Sequence, residues 1–200
     1  MDSAAWDARY ASAPDLVWTG EPNRFAVEEL AALPPGRALD LAAGEGRNAV
    51  WLAGRGWEVT AVDFSPVAVD KGRRLADARG VRVEWVTADL LGYAPPAAAF
   101  DAVLVAYLHL PAPDRAAVLA RAAGALAPGG VLVVIGHDLT NLTDGIGGPQ
   151  DPAILLSPEA VVATLPGLRI GRAERARRPV TTEDGRCVDA IDTVVTAVRD

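Results

Sequence analysis

Two carboxylates flank a glycine turn in the first third of the sequence. Asp40 ends an apolar run, Gly44 and Gly46 follow at once, and Asp63 ends the next apolar run. A strand, a glycine turn and a helix in succession bring a ligand against bare backbone N–H groups at a helix N-terminus. Asp63 follows the glycines by about 20 residues, the spacing that presents an acid to ribose hydroxyls. The pattern predicts a site for a nucleoside-bearing cofactor.

The choice of cofactor depends on Asp40. Gly44, Gly46 and Ala49 also fit the dinucleotide pattern G-x-G-x-x-G/A, which is a weak match by itself. In a dinucleotide site the loop binds a pyrophosphate, which a carboxylate at the strand end would repel. S-adenosylmethionine has no phosphate and carries an ammonium, a sulfonium and a ribose. An acid beneath the loop suits the ammonium and Asp63 suits the ribose, so the sequence favours S-adenosylmethionine.

The run DLAAGEGRNAVWLAGRGWEVTAVDFSP, residues 40–66, resembles the first two motifs of class I S-adenosylmethionine-dependent methyltransferases. Its GEGRN segment is similar to the branch of tellurite-resistance-type and thiopurine-type small-molecule methyltransferases. Relatives often carry Cys at position 43, where this chain has Ala43, which is also small. The resemblance implies methyl transfer to a small-molecule acceptor. It also implies a Rossmann-like, doubly wound, mostly parallel seven-stranded sheet that ends in an antiparallel hairpin.

The expected cofactor contacts lie at the carboxyl ends of the strands, where open parallel sheets bind ligands. By resemblance, Asp89 accepts from the adenine amino group, and Leu90 and Phe64 pack on the ring. The alternatives are that Asp63 only favours a helix dipole and that Asp89 is a turn residue. The cofactor-binding residues predicted in the core are Asp40, Ala42, Gly44, Gly46, Asp63, Phe64, Ser65, Asp89, Leu90 and Ala106.

The N-terminal segment carries aromatic residues ahead of the first strand. Trp6 and Tyr10 lie at i and i+4 on one helical face, and Trp18 follows a break at residues 12–14. One interpretation is a lid that places Trp18 or Tyr10 near the sulfonium through cation–π attraction. The other is a cap that packs on the sheet edge.

The acceptor side is predicted from the two histidines of the chain, which both follow strands. Methyl transfer mainly requires alignment and exclusion of water, and only a hydroxyl or amine acceptor needs a base. We predict His109 as that base, with Tyr107 beside it, and His137 at the rim where strand five leads into residues 141–152. The alternative is two exposed loop histidines. No HxH or HxxxH spacing and no cysteine pair supports a metal site.

Two further features concern the hairpin. Arg175, Arg177 and Arg178 form a basic cluster that either attracts an anionic substrate or guards a solvated strand edge, and we favour the solvated edge. Cys187 is expected to be a small buried side chain rather than a nucleophile.

Strands and helices alternate after residue 36, which predicts an α/β domain with right-handed crossovers. Residues 141–152 contain the run GIGGP and are expected to form a mobile loop. The expected strands are 37–40, 58–62, 82–87, 101–107, 131–135, 168–178 and 188–198. The expected core helices are 46–53, 66–80, 113–126 and 157–165.

One methyltransferase domain is expected over residues 1–200. It comprises a helical cap or lid (1–36), a cofactor-binding core (37–138) and a substrate-side loop, helix and hairpin (139–200). The net charge of −7 argues against a nucleic-acid partner. The sequence shows no apolar run long enough for a membrane span and no signal-peptide h-region. A cytoplasmic monomer or homodimer that acts on a small molecule is expected.

Two rival functions remain. An NAD(P)-binding oxidoreductase fits the glycines but is opposed by Asp40 and by the chain length of 200 residues, which leaves no second domain for a substrate. A non-catalytic cofactor-binding regulator of the same fold would keep Asp40, Asp63 and Asp89 and would lack turnover.

Overall fold

The computed structural model describes residues 3–182 and 184–200, and its centre is a single seven-stranded sheet. The strand order is β3-β2-β1-β4-β5-β7-β6, in which β7 is antiparallel to both of its neighbours and the other pairs are parallel. The predicted doubly wound sheet with a C-terminal antiparallel hairpin is therefore confirmed. The strands are β1 Arg37–Leu41, β2 Glu58–Asp63, β3 Glu84–Thr87, β4 Phe100–Ala106, β5 Leu126–His137, β6 Arg169–Thr181 and β7 Cys187–Val198.

Helices cover both faces of the sheet because successive strand side chains point to opposite faces. Leu39 and Val103 belong to a core cluster that includes side chains of helices α5 (Ala112–Ala125) and α7 (Pro158–Val162). Ala38 and Leu104 belong to a second cluster on the other face, against α2 and α3. The helices are α1 Ser3–Ala11, α2 Arg24–Leu30, α3 Arg47–Gly54, α4 Pro66–Ala78, α5 Ala112–Ala125, α6 Asn141–Asp144 and α7 Pro158–Val162.

Local sequence fixes where α4 begins. Ser65 is the N-cap, and its Oγ accepts from the Ala68 N–H at 3.1 Å, while Pro66 occupies the first helical position. The carboxylate of Asp63 lies at the junction of β2 and α4, where it accepts from the Ser65 N–H at the helix entrance and from the Gly44 N–H of the loop after β1.

The segment 141–152 contains a structural element that the sequence prediction missed. α6 is one turn long, and a 3₁₀ turn spans Pro152–Ile154. The buried Asn141 ties this segment to β7, because its Oδ1 accepts from the Ile191 N–H at 2.7 Å and its Nδ2 donates to the Gly147 carbonyl at 2.8 Å.

Cys187 is exposed, so the expectation of a small buried side chain is wrong. It pairs with Thr181 at the last register position of the β6–β7 hairpin, in the part of β7 that extends past its pairing with β5. Within the described residues, the model contains no helix long and apolar enough to cross a membrane.

Candidate cofactor and acceptor site

Asp40 is a fully buried acid without a partner. It lies near the end of β1, and neither carboxylate oxygen accepts a hydrogen bond from a described group. Burial, reinforced by the nearby Asp63 carboxylate, raises the pKa of Asp40 to about 7. A buried carboxyl of this kind is costly unless a cation or a donor arrives to pair with it. The geometry therefore provides a receptor for a positively charged group.

Asp63 is buried at the end of β2 and already supports the glycine loop. Its Oδ2 accepts from the Gly44 N–H at 2.8 Å, and its Oδ1 accepts from the Ser65 N–H at 2.9 Å. Burial raises the pKa of Asp63, and these backbone donors oppose the rise. An ionised carboxylate has about four acceptor positions, so both oxygens keep room for further donors such as hydroxyls.

The loop between β1 and α3 has an unusual backbone conformation. Ala42, Gly44 and Gly46 have φ values of +58°, +55° and +80°, so the chain turns through the left-handed region three times. Ala42 is a non-glycine residue in that region, a strain that clusters at ligand sites. Gly46 is the N-cap of α3, and a Cβ there would clash with the ring of Trp85. The loop therefore depends on glycine for its conformation and for its packing.

Helix α1 lies over this loop and over the end of β2. Ser3 Oγ donates to the Phe64 carbonyl at 3.2 Å, and Ser65 Oγ hydrogen-bonds to Asp7. Tyr10 is buried, and a Cβ added at Gly44 would lie 3.0 Å from its hydroxyl oxygen. Burial, and then the Asp63 and Glu45 carboxylates, raise the pKa of Tyr10. The N-terminal segment thus contacts the loop directly, as the lid interpretation requires.

A buried ion pair, which the sequence analysis missed, holds the segment after α1 against the glycine loop and α4. Lys71 Nζ on α4 lies 3.1 Å from Glu45 Oε1, and each side chain is 4% exposed. Lys71 also donates to the carbonyls of Ala13 and Asp15. Glu45 lies within the GEGRN segment, and the Glu45 oxygens accept from the N–H groups of residues 17 and 18 at 2.9 and 3.0 Å. The glycine loop and the N-terminal segment therefore share one ion pair.

Trp18 stands differently from Tyr10. Its ring is 42% exposed and lies under the Arg9 guanidinium, 4.9 Å from the centroid. Its backbone N–H donates to Glu45 of the loop, and its side chain lies within hydrogen-bonding range of Tyr10. Of the two aromatic residues predicted near the sulfonium, the structure places Tyr10 against the glycine loop and leaves the Trp18 ring partly in solvent.

The predicted adenine-side residues surround the turn after β3. Asp89 is exposed, and its Oδ1 accepts from the Leu91 N–H at 2.9 Å, which is the turn role that the sequence left open. Leu90 is buried, and Phe64 is half-buried at the end of β2. Asp89 therefore has a role in the turn through Oδ1. Its position also suits the predicted contact with an adenine amino group, which Oδ2 would make.

The predicted acceptor residues form one cluster at the ends of β4 and β5. The rings of His109 and His137 are stacked with centroids 5.4 Å apart, and the Tyr107 ring lies 5.1 Å from His137 and 6.2 Å from His109. Both histidines are half-buried, so the alternative of exposed loop residues is wrong. His137 also lies against Gly148 of the 141–152 segment, and adjacent strands bring its ring onto that of His109. Tyr107 has φ of +58°, a second strained position at the site.

Asp192 completes this cluster, and the sequence analysis did not single it out. It is fully buried on β7, where its Oδ2 accepts from Tyr107 Oη at 3.0 Å and from Arg178 Nε at 2.7 Å. Its Oδ1 lies 3.4 Å from His137 Nδ1. The signal in the sequence was an acid inside an otherwise apolar strand, but its distance of 55 residues from His137 concealed the pairing.

The three hairpin arginines all have acidic partners. Arg177 pairs with Asp189 at 3.3 Å and has a 64% exposed side chain, as a solvated strand edge predicts. Arg178 is only 26% exposed and pairs with the buried Asp192, so the solvated interpretation is wrong for it. The Arg175 partners are Asp138 at 3.2 Å and Glu159 at 2.8 Å.

Comparisons with known proteins bear on this arrangement. A family model described as a methyltransferase domain matches residues 38–130. A demethylmenaquinone methyltransferase from Thermus thermophilus is 41% identical over 123 residues, covering 60% of this chain and 54% of that protein. The chain therefore spans about half the length of this curated relative.

Solved structures match over a longer span. One, described for the conversion of a disulfide bond into a thioacetal group during echinomycin biosynthesis, has a TM-score of 0.76 and 25% identity. It covers 99% of this chain and 91% of its own. Over residues 38–130 the chain is similar to methyltransferase domains, and its fold is that of the class I S-adenosylmethionine-dependent methyltransferases. TehB from Haemophilus influenzae, at 14% identity and a TM-score of 0.72 over 88% of this chain and 61% of its own, shares the methyltransferase fold.

The residues of this site fit S-adenosylmethionine, the cofactor that the methyltransferase fold implies. The partnerless buried acid Asp40 suits an ammonium, and Asp63 keeps acceptor positions for hydroxyls. The positive-φ loop lets a ligand approach the backbone closely. Among residues 3–182 and 184–200, no group of three or more His, Cys, Asp or Glu side chains is placed to hold a metal ion.

Proposed function

We propose that this protein is an S-adenosylmethionine-dependent methyltransferase that transfers a methyl group to a small-molecule acceptor. The observation that carries the proposal is the buried, partnerless Asp40 beside the Asp63-supported glycine loop. A pyrophosphate has no cation to offer Asp40, whereas an amino acid ammonium does. This charge arrangement supports the methyltransferase over an NAD(P)-binding oxidoreductase.

Different residues of the chain would bind different groups of the cofactor. The bound cofactor would supply an electrophilic methyl group on its sulfonium. Asp40 would hold the ammonium, and Asp63 would accept from the ribose hydroxyls while it keeps Gly44 in place. Ala42, Gly44, Gly46 and Ser65 would shape the loop and the helix entrance around them.

Further cofactor contacts come from the turn after β3 and from the N-terminal segment. Asp89 would accept from the adenine amino group, and Leu90 and Phe64 would pack on its ring. Tyr10, with Trp18 at its margin, would cover the loop and exclude water, which strengthens electrostatic interactions inside the site.

The acceptor would meet the methyl group beside Ala106, Tyr107 and His109, at the end of β4. Strand β4 neighbours β1 in the sheet, so these residues adjoin the cofactor loop. The sequence predicted His109 as the general base for a hydroxyl or amine acceptor; we propose that His109 lies beside the acceptor, and the proton transfer is assigned below to its neighbour His137. We also propose a cytoplasmic monomer or homodimer, organised as a cap (1–36), a core (37–138) and a substrate side (139–200).

Calorimetric titration tests the cofactor. We expect S-adenosylmethionine and S-adenosylhomocysteine to bind, and Asp63→Ala to weaken both by about 1–3 kcal/mol, because charged hydrogen bonds to hydroxyls are lost. Asp70→Ala is the matched control, since Asp70 is an exposed acid on α4 that pairs only with Arg73. Tight NAD or NADP binding, or unchanged affinity in Asp63→Ala, would contradict the proposal.

Turnover separates an enzyme from a non-catalytic regulator of the same fold. We expect transfer of labelled methyl to at least one class of small molecule in a panel of phenols, thiophenols, amines and oxyanions of selenium and tellurium. Tight cofactor binding without transfer to any of them would favour the regulator.

A further inference from the structure

One carboxylate oxygen and one imidazole nitrogen face each other at the end of β5. Asp192 Oδ1 lies 3.4 Å from His137 Nδ1, close enough for an ion pair but outside hydrogen-bond geometry, and neither atom forms a hydrogen bond with any described group. Asp192 is fully buried, and the His137 side chain is only 15% exposed. Buried polar atoms in folded proteins almost always have partners. Each of these two atoms is therefore available only to the other.

Hydrogen bonds to Asp192 Oδ2 fix the orientation of the carboxylate and therefore the position of Oδ1. Oδ2 accepts from Tyr107 Oη at 3.0 Å and from Arg178 Nε at 2.7 Å. Tyr107 is held in turn by Asn23, whose Nδ2 donates to the tyrosine hydroxyl at 3.2 Å. The carboxylate cannot rotate away from His137 without breaking these contacts.

His109 is adjacent but lacks an acid. Its ring stacks on His137 at an interplanar angle of 16°, and its Nε2 is buried without a partner. Burial, with His137 and Arg115, lowers the pKa of His109 to about 4. Burial also lowers the pKa of His137, but Asp192 opposes that effect, and Arg178 adds to it. The titratable and charged groups that face His137 are thus Asp192 on β7, Arg178 on β6, and Tyr107 and His109 after β4.

We propose that His137, positioned by Asp192, takes the proton from the methyl acceptor, an assignment that rests on the methyltransferase function proposed above. A proton on Nδ1 directed at Asp192 leaves the Nε2 lone pair free. The acceptor atom bonds to the methyl carbon, and the pair of the broken methyl–sulfur bond stays on sulfur. The acceptor's proton passes to Nε2, which gives an imidazolium paired with Asp192 that later releases the proton to water.

The charges of the cluster indicate the class of acceptor. Asp192 and Arg178 form an ion pair, so a neutral His137 adds no positive charge beside that pair for attracting an anion, and Arg115, which acts on His109, is another cation nearby. A thiolate or selenide is already deprotonated near neutral pH and has no need of a base. The arrangement fits an uncharged acceptor that still carries the proton to be lost, a hydroxyl or an amine.

Imidazole NMR of the cofactor-free protein tests the pair without any acceptor. The chain has only two histidines, so His109→Ala assigns both sets of signals. We expect the neutral His137 to carry its proton on Nδ1 in the wild type. We expect Asp192→Asn to lower the His137 pKa by about 1–3 units, the usual effect of removing an adjacent opposite charge.

Asp189→Asn is the control, because Asp189 lies on the same strand and pairs with the exposed Arg177. It should leave both histidine titrations unchanged. A wild-type His137 protonated on Nε2, or an unchanged His137 titration in Asp192→Asn, would overturn the proposal. The wild-type tautomer decides the question even if Asp192→Asn does not fold.

Kinetics with phenols and thiophenols as probe acceptors give the second readout. With phenols, His137→Gln should lower kcat by about 10²–10⁴-fold, and with thiophenols the loss should be much smaller. Asp192→Asn should shift the pH profile of the phenol reaction and leave S-adenosylhomocysteine affinity unchanged. A wild-type phenol rate in His137→Gln would remove His137 from proton transfer. Failure of the wild type to bind S-adenosylhomocysteine would instead refute the proposed function.

Discussion

Asp40 is completely buried and has no hydrogen-bond partner of good geometry among the described residues, and the Arg47 charge and the nearby Ala49 N–H offset its burial only in part. Its pKa of about 7 lies above the ordinary value of 3.8, so the folded protein holds a proton that the unfolded chain releases. Stability from this group is therefore greatest below pH 4 and is lost as the pH rises to about 7. The residue destabilises the free protein at neutral pH and would be neutralised by a bound cation.

Asp40→Asn should make the cofactor-free protein more stable above neutral pH, where the wild type must ionise a buried acid. We expect an increase in the free energy of unfolding of about 2–4 kcal/mol at pH 8 and a smaller one at pH 5. Urea denaturation at the two pH values measures it. An increase independent of pH would show that Asp40 does not titrate as its burial implies.

The same residue predicts pH-dependent cofactor affinity. An ammonium pairs with the ionised form of Asp40, so S-adenosylhomocysteine should bind more tightly as the pH rises from 6 to 7 and should level off above its pKa of about 7. The rise should approach about tenfold per pH unit at the acid end. Calorimetry across this range checks it. Asp40→Asn should bind more weakly with a flat profile, and a sloping profile in this variant would assign the titration elsewhere.

The sequence revealed single residues only where spacing along the chain carried the information. Asp40 and Asp63 bracket a glycine turn and could be predicted, and the structure places both beside that loop. Asp192 and Glu45 could not, because their partners His137 and Lys71 lie on other elements and only the fold brings them together. Cys187 was misjudged because its strand extends past its pairing with β5.

At the scale of elements, the N-terminal segment and the glycine loop are joined through Lys71. This lysine reaches the carbonyls of Ala13 and Asp15 as well as the carboxylate of Glu45. Residues 12–18 therefore lose these contacts with α4 if one side chain is neutralised, and α1 is then held by its own hydrogen bonds to Phe64 and Ser65. The attachment is buried, and breaking a buried pair by removing one partner costs about 3–5 kcal/mol.

Lys71→Met should release residues 3–18 more than the sheet. We expect faster hydrogen exchange in this segment than in β4, and weaker S-adenosylhomocysteine binding, since α1 covers the loop. Arg73→Met is the control, because the Arg73–Asp70 pair on the same helix is exposed. In the wild type, bound cofactor should increase protection of residues 3–33. Equal loosening of α1 and β4 in Lys71→Met would show that the lysine stabilises the whole fold instead.

Trp85 occupies a space between the cofactor loop and α4 that two glycines keep open. A Cβ on either Gly46 or Gly72 would clash with its ring. Gly46→Ala should lower the free energy of unfolding by about 2–4 kcal/mol, from left-handed backbone strain and overpacking together. Gly54→Ala is the control, because Gly54 lies in α3 with open space around it and no positive φ. Equal thermal stability of the two variants would mean that Trp85 moves aside at little cost.

Most helices and strands were predictable from the sequence. The periodicity of hydrophobic residues identifies them, and glycine or proline residues mark their ends. Ser65-Pro66 located the start of α4, and the Asp184-Gly185 turn located the hairpin. The short α6 escaped because glycine and proline dominate its surroundings, while its anchor is the long-range bond from Ile191 to Asn141. A single turn of helix held by a tertiary contact leaves no periodic pattern in the sequence.

At the scale of the molecule, the order of strands was implied by the family resemblance rather than by composition. The resemblance gave a terminal hairpin, and the structure shows β7 inserted between β5 and β6. This insertion carries Asp192 to the end of β5, beside His137. The acceptor side of the site therefore draws on both halves of the sheet, the parallel strands and the hairpin.

The position of β7 in the sheet also makes the nascent chain prone to aggregation during synthesis. β7 begins at Cys187, 50 residues after β5 ends at His137. Until those residues leave the ribosome, the outer edge of β5 presents unpaired backbone along the run VLVVIG, which is apolar, rich in β-branched residues and uncharged. Such a segment on an open edge is a template for intermolecular strand pairing. Stalled or truncated synthesis before β7 should therefore yield aggregates, and molecular chaperones should engage this nascent chain at β5.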